Sequence, residues 1–202
     1  IKDGDAAISS VNLIPTQAAF EDLTAAHVVL FPDVYYTEVN LINPLAAQVT
    51  ATITPFRADG TQVTAPFDVI LPAGQMVTLR DTQLGLPSGE STEGYLTVEA
   101  SRSILGCLTF GNPVDNHYMS TLPLQSAGGE DIYFAQVANG DAGGVNFFTG
   151  LAVINPNDSP VEITIRVHKP SGSRNGNTVT RTLAPREKYV RRATVPCSSS
   201  KL

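Results

Sequence analysis

Residues 161–168 read Val-Glu-Ile-Thr-Ile-Arg-Val-His, in which apolar and polar side chains alternate without a break. Residues 49–54, Val-Thr-Ala-Thr-Ile-Thr, alternate in the same way. Because successive side chains of a strand point to opposite faces of a sheet, this period of two predicts strands with one buried and one solvated face. We expect both segments to be central strands of antiparallel sheets, with their apolar side chains buried.

Further strand-like segments follow one another at short intervals, each bounded by Gly, Pro, Asn or Asp. They are residues 37–42, 67–71, 76–79, 95–100, 104–110, 132–138, 147–154, 178–183 and 188–193. A convincing helical period is not found, and Ala18–Ala26 and Asp81–Leu84 are expected to form one or two helical turns at most. Many short strands at this spacing predict an all-β sandwich or barrel.

The chain also contains an internal repeat. Thr37–Pro44, TEVNLINP, returns as Thr149–Pro156, TGLAVINP, and the offset of 112 residues continues without a gap as far as Gly60 and Gly172. In each copy a strand ends at Asn-Pro, because proline cannot donate to a ladder and holds the preceding residue in an extended or turn conformation. A common register of this length predicts two related β domains.

The second copy is shorter than the first. The first continues through Gly94–Asn112, GYLTVEASRSILGCLTFGN, whereas residue 202 already corresponds to residue 90. We therefore expect the second domain to lack about two strands, which leaves apolar core and strand edges open. A spare strand-like segment precedes the first copy and is the candidate donor strand, with the apolar residues Ala7, Ile8, Val11, Leu13 and Ile14.

Three stretches resemble a recurrent β-sandwich repeat of secreted bacterial surface proteins: LPAGQMVTLRD (71–81), GYLTVEASRSILGCLTFGN (94–112) and TGLAVINPNDSPVEITI (149–165). The matching positions of the first copy are Thr37, Asn43, Pro44, Gly60, Leu71, Pro72, Gly74, Gly94, Tyr95, Val98, Ser101, Phe110 and Gly111. The resemblance covers most of residues 25–125 and the first half of a repeat in 132–192. It implies an extracellular structural or adhesive role, and it carries no active-site residues.

Composition excludes several classes of protein. Charged residues make up 16% of the chain and the formal net charge is −6, which argues against nucleic acid as the main partner. Apolar runs are too short for a transmembrane helix. Residues 1–131 contain 15 acidic and 4 basic side chains, and residues 132–202 contain 4 acidic and 9 basic. The two parts can attract one another head to tail between copies, or the division is ordinary drift in surface charge.

Motifs of known enzymes are not found, so we expect neither catalysis nor a cofactor. His27, His117 and His168 are not at ligand spacing, and no metal site is predicted. The loop Asn139–Asn146 offers oxygen ligands for calcium, but its low acidic density favours a Gly-rich hairpin.

Two other features have two interpretations each. The pairs Tyr35-Tyr36 and Phe147-Phe148 lie at equivalent places in the repeat, where they fit a sugar-stacking platform or the core packing of one ring per pair. Cys107 and Cys197 are a candidate disulfide that would tie the C-terminal segment to the first domain. The other reading is that both are unpaired small apolar residues.

Together these observations predict an all-β chain of two Ig-like antiparallel β-sandwiches, the second incomplete without an added strand. The expected organisation is an N-terminal extension at 1–20, a first sandwich at 21–126 and a truncated second one at 127–202. The predicted function is that of an extracellular or cell-surface structural subunit, assembling with copies of itself head to tail into a filament by donor-strand exchange. The alternative is a carbohydrate- or surface-binding module of a larger secreted protein, with a surface glycan as its partner.

Overall fold

The computed structural model describes the backbone of residues 2–3, 6–7, 19–112, 119–126, 128–134, 137–142 and 145–192. The chain divides into two compact units, unit 1 at residues 1–128 and unit 2 at residues 129–202. Regular structure in the described residues is β-strand, apart from one turn of 3-10 helix at Asp81–Leu84. The predicted all-β class and the short turn are therefore confirmed. Within the described part, no helix is long and apolar enough to cross a membrane.

The described strands of unit 1 are β1 (Lys2–Asp3), β2 (Ala6–Ala7), β3 (Phe20–Leu30), β4 (Tyr36–Ile42), β5 (Val49–Arg57), β6 (Phe67–Leu71), β7 (Met76–Arg80), β8 (Thr92–Gly111) and β9 (Met119–Pro123). Those of unit 2 are β10 (Gly140–Ala142), β11 (Val145–Phe147), β12 (Gly150–Ile154), β13 (Val161–Ile165), β14 (Val179–Leu183) and β15 (Lys188–Arg192).

Strand β8 is the centre of unit 1 because it belongs to two ladders. Its N-terminal half pairs antiparallel with β3 and β5, and its C-terminal half pairs antiparallel with β4 and β9. β6 extends the first ladder beyond β5, and β7 extends the second beyond β4. These seven strands form one curled antiparallel sheet, and the side chains of Ser101 and Arg102 are exposed between the two ladders.

Alternation places the core of unit 1 on one face of these strands. Along β5 the side chains of Val49, Ala51 and Ile53 are fully buried, and those of Thr50 and Thr52 between them are partly exposed. The same core includes Leu23 and Val28 of β3, Val39 and Leu41 of β4, and Leu96, Val98, Ile104 and Leu108 of β8. Burial of each large aliphatic side chain contributes about 1.5–3 kcal/mol, so β8 is both the hydrogen-bonding and the apolar centre of the unit.

The helical turn expected at Ala18–Ala26 is wrong in its described residues. Phe20–Leu30 form β3, which pairs with β8, and the backbone of Thr24 exchanges hydrogen bonds with that of Gln125. The register of β3 on β8 shifts between Ala25 and Val28. The apolar residues of β3 consequently do not keep a period of two, and the sequence pattern hides the strand.

Unit 2 consists of three antiparallel strand pairs in its described residues. β10 pairs with β11, β12 with β15, and β13 with β14. The strands predicted at 147–154 and 161–168 are shorter than expected, since β12 begins at Gly150 and β13 ends at Ile165. The strand predicted at 132–138 is not formed: the described residues 132–134 and 137–138 lie outside any strand.

Candidate functional site

Unit 2 repeats four strands of unit 1 in the same register. β4 pairs with β7 and β5 with β6 in unit 1, as β12 pairs with β15 and β13 with β14 in unit 2. Ile42 faces Met76 across the first pair, and Ile154 faces Lys188 across its counterpart. Both partners are displaced by the 112 residues of the sequence repeat. The two equivalent strands predicted from alternation, β5 and β13, are therefore equivalent in their pairing as well.

Asn155 fixes the end of β12. Its side-chain nitrogen donates to three backbone oxygens, those of Ser159 at 2.8 Å, Leu183 at 3.4 Å and Ala184 at 2.8 Å. Asn43 makes the corresponding bonds in unit 1, to the oxygens of Ala47, Leu71 and Pro72. Both asparagines are buried, so each ties the end of one strand to two connecting segments of its unit.

A second contact is repeated at the other end of the same strands. The Cζ atom of Arg80 lies 4.7 Å from the ring centroid of Tyr36, and that of Arg192 lies 4.6 Å from the ring centroid of Phe148. Tyr36 is partly buried, whereas Phe148 is 60% exposed. Phe148 therefore lies outside a core, while the side chain of Phe147 is outside the described residues, and the choice between the two interpretations of these aromatic pairs stays open.

The strand that joins the two ladders of unit 1 has no counterpart among the described strands of unit 2. β8 lies between β5 and β4 and pairs with Ala51–Arg57 and Tyr36–Ile42. In the described part of unit 2, β13 pairs with β14 alone and β12 with β15 alone. We call the open edges of β12 and β13, with the apolar side chains of Leu151, Val153, Ile163 and Ile165, the acceptor cleft.

The side chains of the acceptor cleft are incompletely buried. Val39, Leu41, Ala51 and Ile53 of unit 1 have relative exposures of 0%, and their counterparts Leu151, Val153, Ile163 and Ile165 are partly exposed. The predicted burial of the apolar residues is thus met in β5 and only partly in β13. All eight residues are apolar, and the pairings β4–β7 and β5–β6 recur as β12–β15 and β13–β14. The difference in exposure therefore comes from what covers these faces.

The chain before β10 is held by a contact that also occurs in unit 1. The Thr149 hydroxyl donates to the backbone oxygen of Ala138 and accepts from its N–H, at 3.0 and 2.9 Å. Thr37 makes the same two bonds with Val29 at the end of β3. Ala138 therefore occupies the place of Val29 at the end of β3, whose pairing partner in unit 1 is β8. In the described part of unit 2, no strand takes the place of that partner.

This segment also carries three apolar side chains that are more than half exposed. Ile132 is 56% exposed, Tyr133 90% and Phe134 61%, whereas Leu23 in β3 is 2% exposed. Exposed aromatic and aliphatic groups in sequence indicate a surface that a partner covers. In unit 1 the strand that ends at the corresponding Val29, β3, lies beside β8.

The candidate donor strand lies largely outside the described residues. Ala7 is in β2, where it pairs with Lys2 of β1, and Ile8, Val11, Leu13 and Ile14 are not described. Cys107 is partly buried in β8, where burial raises the pKa of its thiol, and Cys197 lies outside the described residues. Donation by the N-terminal segment and the Cys107–Cys197 disulfide both stay predictions.

An ion pair lies beside the turn between β14 and β15. Arg181 lies 2.8 Å from the Glu187 carboxylate and stacks over the ring of Tyr189. The backbone N–H of Ala184 donates to the same carboxylate at 2.7 Å. These bonds, that of Ala184 first, hold the pKa of Glu187 below its ordinary value. The arrangement braces the turn between β14 and β15.

The described residues contain no group of three or more His, Cys, Asp and Glu side chains that could hold a metal ion. His27 packs edge-on against Phe110, with ring centroids 5.0 Å apart, and His168 Nδ1 lies 3.0 Å from the Gly172 oxygen. His117 is outside the described residues. The loop Asn139–Asn146 was predicted to be a Gly-rich hairpin. Its flanking strands β10 and β11 pair antiparallel.

Comparison with known proteins finds little similarity. No family model matches the chain, and no curated protein does. A crystal structure of Thermotoga maritima protein 1070 is similar with a TM-score of 0.47 and 15% identity, over 54% of this chain and 96% of that one. The Anabaena sensory rhodopsin transducer is similar with a TM-score of 0.35 and 14% identity, over 44% and 93%.

Two parts of the acceptor cleft were not predicted from the sequence. The bonds of Asn155 were not foreseen, although its recurrence with Asn43 in the repeat was the available signal. The bonds of Thr149 to Ala138 were not foreseen either. Thr149 recurs with Thr37, but the partners Ala138 and Val29 are not separated by the 112 residues of the repeat.

Proposed function

We propose that the chain is a non-enzymatic structural subunit, extracellular or at the cell surface, that assembles with copies of itself by exchange of a β-strand. The observation that supports this most is the acceptor cleft, where two strand pairs of the internal repeat have no described strand between them, whereas unit 1 places β8 there. Open ladders attract an added strand, since it satisfies backbone groups and covers apolar side chains together.

The two units are proposed to be Ig-like sandwiches, of which unit 2 reaches its complete form on assembly. An added strand between β12 and β13 would join two ladders that have no common strand in the described residues. The resulting core would include Ile163 and Ile165 as fully as unit 1 includes Ala51 and Ile53. Assembly and folding of unit 2 are coupled in this proposal.

The donor is proposed to be the N-terminal segment, with Ala7, Ile8, Val11, Leu13 and Ile14 as its apolar residues. The central slot of unit 1 is already filled by its own β8, so this segment is available to another copy. Donation from the N-terminal part of one copy to unit 2 of the next is a heterologous contact. Such contacts repeat into an open filament unless the rotation closes a ring.

Deletion of residues 1–15 tests this proposal. We expect the full chain to form polymers visible by negative-stain electron microscopy and as high-mass species in light scattering. The deleted chain is expected to stay monomeric and to bind a hydrophobic dye more strongly, because the acceptor cleft stays uncovered. A matched control replaces Lys2, Asp3 and Asp5 by Ala and keeps the apolar residues.

Polymers of unchanged length from the deleted chain would overturn donation by this segment. A full chain that is monomeric at all concentrations would overturn the structural role itself. Surface exposure is tested separately, by the accessibility of the protein to added protease on intact cells of the source.

The second candidate function is glycan binding, and the exposed rings of Tyr133 and Phe148 favour it. Aromatic faces stack on sugars because both surfaces are flat and partly apolar. Binding of a soluble glycan panel that is lost in Tyr133→Ala, with polymer formation unaffected, would support this candidate over assembly.

A further inference from the structure

We infer that the acceptor cleft takes the donor at one defined edge, that of β13, in the place of the N-terminal half of β8. This inference rests on the proposed function, and it adds which backbone groups receive the strand. In unit 1 that half of β8 lies between β5 and β3. By analogy, a strand added to unit 2 would lie between β13 and the chain that leads to Ala138.

The hydrogen-bonding direction of β13 follows from unit 1. The backbone N–H of Thr50 donates to the Oγ of Ser101 on β8, at 3.1 Å, so the N–H groups of even-numbered residues in β5 point toward β8. Thr52 is therefore a β8-facing residue, and its counterpart in β13 is Thr164. The Val167 oxygen accepts from the N–H of Asn175, which places an odd-numbered residue on the other side. Thr164 thus presents its N–H and oxygen to the acceptor cleft.

The residues that we expect on the other side of the added strand, away from β13, are apolar. Ile132 and Phe134, in the chain that leads to Ala138, are 56% and 61% exposed. A strand paired with β13 would lie beside them, as β8 lies beside Leu23 and Ala25 of β3. One added strand would therefore cover both the partly exposed face of β13 and these two side chains.

The occupant we infer is the segment Ala7–Ile14 of a second copy. Its eight residues are close in number to the seven, Ala51–Arg57, that β5 pairs with β8. Val11, Asn12 and Leu13 alternate as Ile163, Thr164 and Ile165 do, which puts Asn12 on the outer face beside Thr164 when Val11 and Leu13 face inward. Ile8 and Ile14 then share the outer face with Asn12. Asp3 and Asp5 precede the segment, and residues 132–202 contain 9 basic against 4 acidic side chains. The segment Ala7–Ile14 itself has no charged side chain, and the charge that favours this contact is the acidic excess of residues 1–131, 15 acidic against 4 basic side chains.

Replacement of Thr164 by proline tests the edge. Proline removes the N–H that points into the acceptor cleft and leaves the β13–β14 bonds in place, since an edge strand tolerates proline at an outward N–H. We expect Thr164→Pro to keep the circular dichroism and melting of the unassembled subunit and to reduce polymer mass at least tenfold. Thr164→Ala keeps the N–H and is expected to assemble like the parent chain.

Cysteine cross-linking tests the occupant. In a background with Cys107→Ser and Cys197→Ser, we combine Thr164→Cys with Asn12→Cys or with Ser10→Cys, its same-face neighbour in register. Mild oxidation of the polymer is expected to give a ladder of covalent multimers on a non-reducing gel. In the matched control, Thr180→Cys replaces Thr164→Cys. Thr180 pairs with Thr164 on the side of β13 away from the cleft, so this control is expected to give no ladder.

The outcomes separate this inference from the proposed function. Two results together would overturn the β13 edge and leave strand exchange in place. Thr164→Pro would form polymers normally, and the cysteine variants would give no ladder of covalent multimers. If the full chain makes no polymer, the structural role fails, and a fluorescent peptide of residues 6–16 then tests the cleft alone. Its binding to the full chain, lost in Thr164→Pro and absent for a scrambled peptide, supports the acceptor edge; no binding overturns it.

Discussion

The side-chain nitrogens of Asn43 and Asn155 donate to backbone oxygens at the same relative positions, 4, 28 and 29 residues further along the chain. One asparagine belongs to a unit with a complete curled sheet, and the other to a unit whose strands are joined only in pairs. The ends of these strands are therefore organised in unit 2 although the described residues contain no strand that joins the two pairs. In the strand exchange that we propose, the added strand would complete a unit whose strand pairs are already formed.

The first prediction concerns this asparagine. We expect Asn155→Ala to lower the free energy of unfolding of unit 2 by about 2–4 kcal/mol, because buried carbonyl oxygens lose their donor. Asn43→Ala should cost unit 1 a similar amount, and Asn157→Ala, whose side chain is exposed, should cost little. Chemical denaturation of each variant measures these differences. Equal stability of Asn155→Ala and Asn157→Ala would contradict the role of the amide.

The second prediction compares two counterpart isoleucines. Ile53→Ala is expected to cost unit 1 about 2–5 kcal/mol, since the side chain is fully buried. Ile165→Ala is expected to cost less than half of that in the unassembled chain, because Ile165 is already partly exposed. In assembled protein the cost at Ile165 should rise toward that at Ile53. Thermal melts of both variants below and above the assembly concentration measure the change.

The third prediction concerns pH. The Glu187 carboxylate accepts from Ala184 and Arg181, which hold its folded pKa below the ordinary value of 4.5. The unfolded state therefore binds the proton more readily, and the stabilisation is present above pH 4.5 and is lost as pH falls through the folded pKa. Glu187→Gln should destabilise unit 2 at pH 7 and much less at the lowest pH where the chain folds. The exposed Glu162→Gln is the control in urea titrations at both pH values.

The fourth prediction concerns salt. If the acidic N-terminal part meets the basic unit 2 between copies, assembly weakens as salt rises through physiological strength, where the screening length is about 8 Å. Reversal of the exposed Arg191 and Arg192 to Glu should weaken it further, and replacement of both by Lys should not. Sedimentation across a salt series measures this. Assembly indifferent to salt and to charge reversal would show that apolar contacts dominate.

Strands with regular alternation could be predicted from the sequence, and irregular ones could not. β5 and β13 were identified because every second side chain is apolar. β3 was missed because its register shift between Ala25 and Val28 interrupts the pattern. The predicted strands at 95–100 and 104–110 are one strand, β8, since the polar residues between them lie where it passes from one ladder to the other.

The candidate site was predicted in outline only. The shortness of the second copy implied an open core, and the partly exposed Ile163 and Ile165 agree with that. The segment at 132–138 has the composition of a strand, and it was predicted as one. Strand formation needs a neighbouring ladder, which a pattern within the segment does not report, and in the described residues no such ladder is present.

One half of β8 is hydrogen-bonded to β3 and β5, and the other half to β4 and β9. Both ladders of unit 1 therefore share one continuous strand. A pulling force on unit 1 must break many such bonds before either ladder separates. In the described part of unit 2, the pairs β12–β15 and β13–β14 have no strand in common. Tension along the chain would therefore separate the ladders of unit 2 first, and a strand bound in the acceptor cleft would raise the force at which they part.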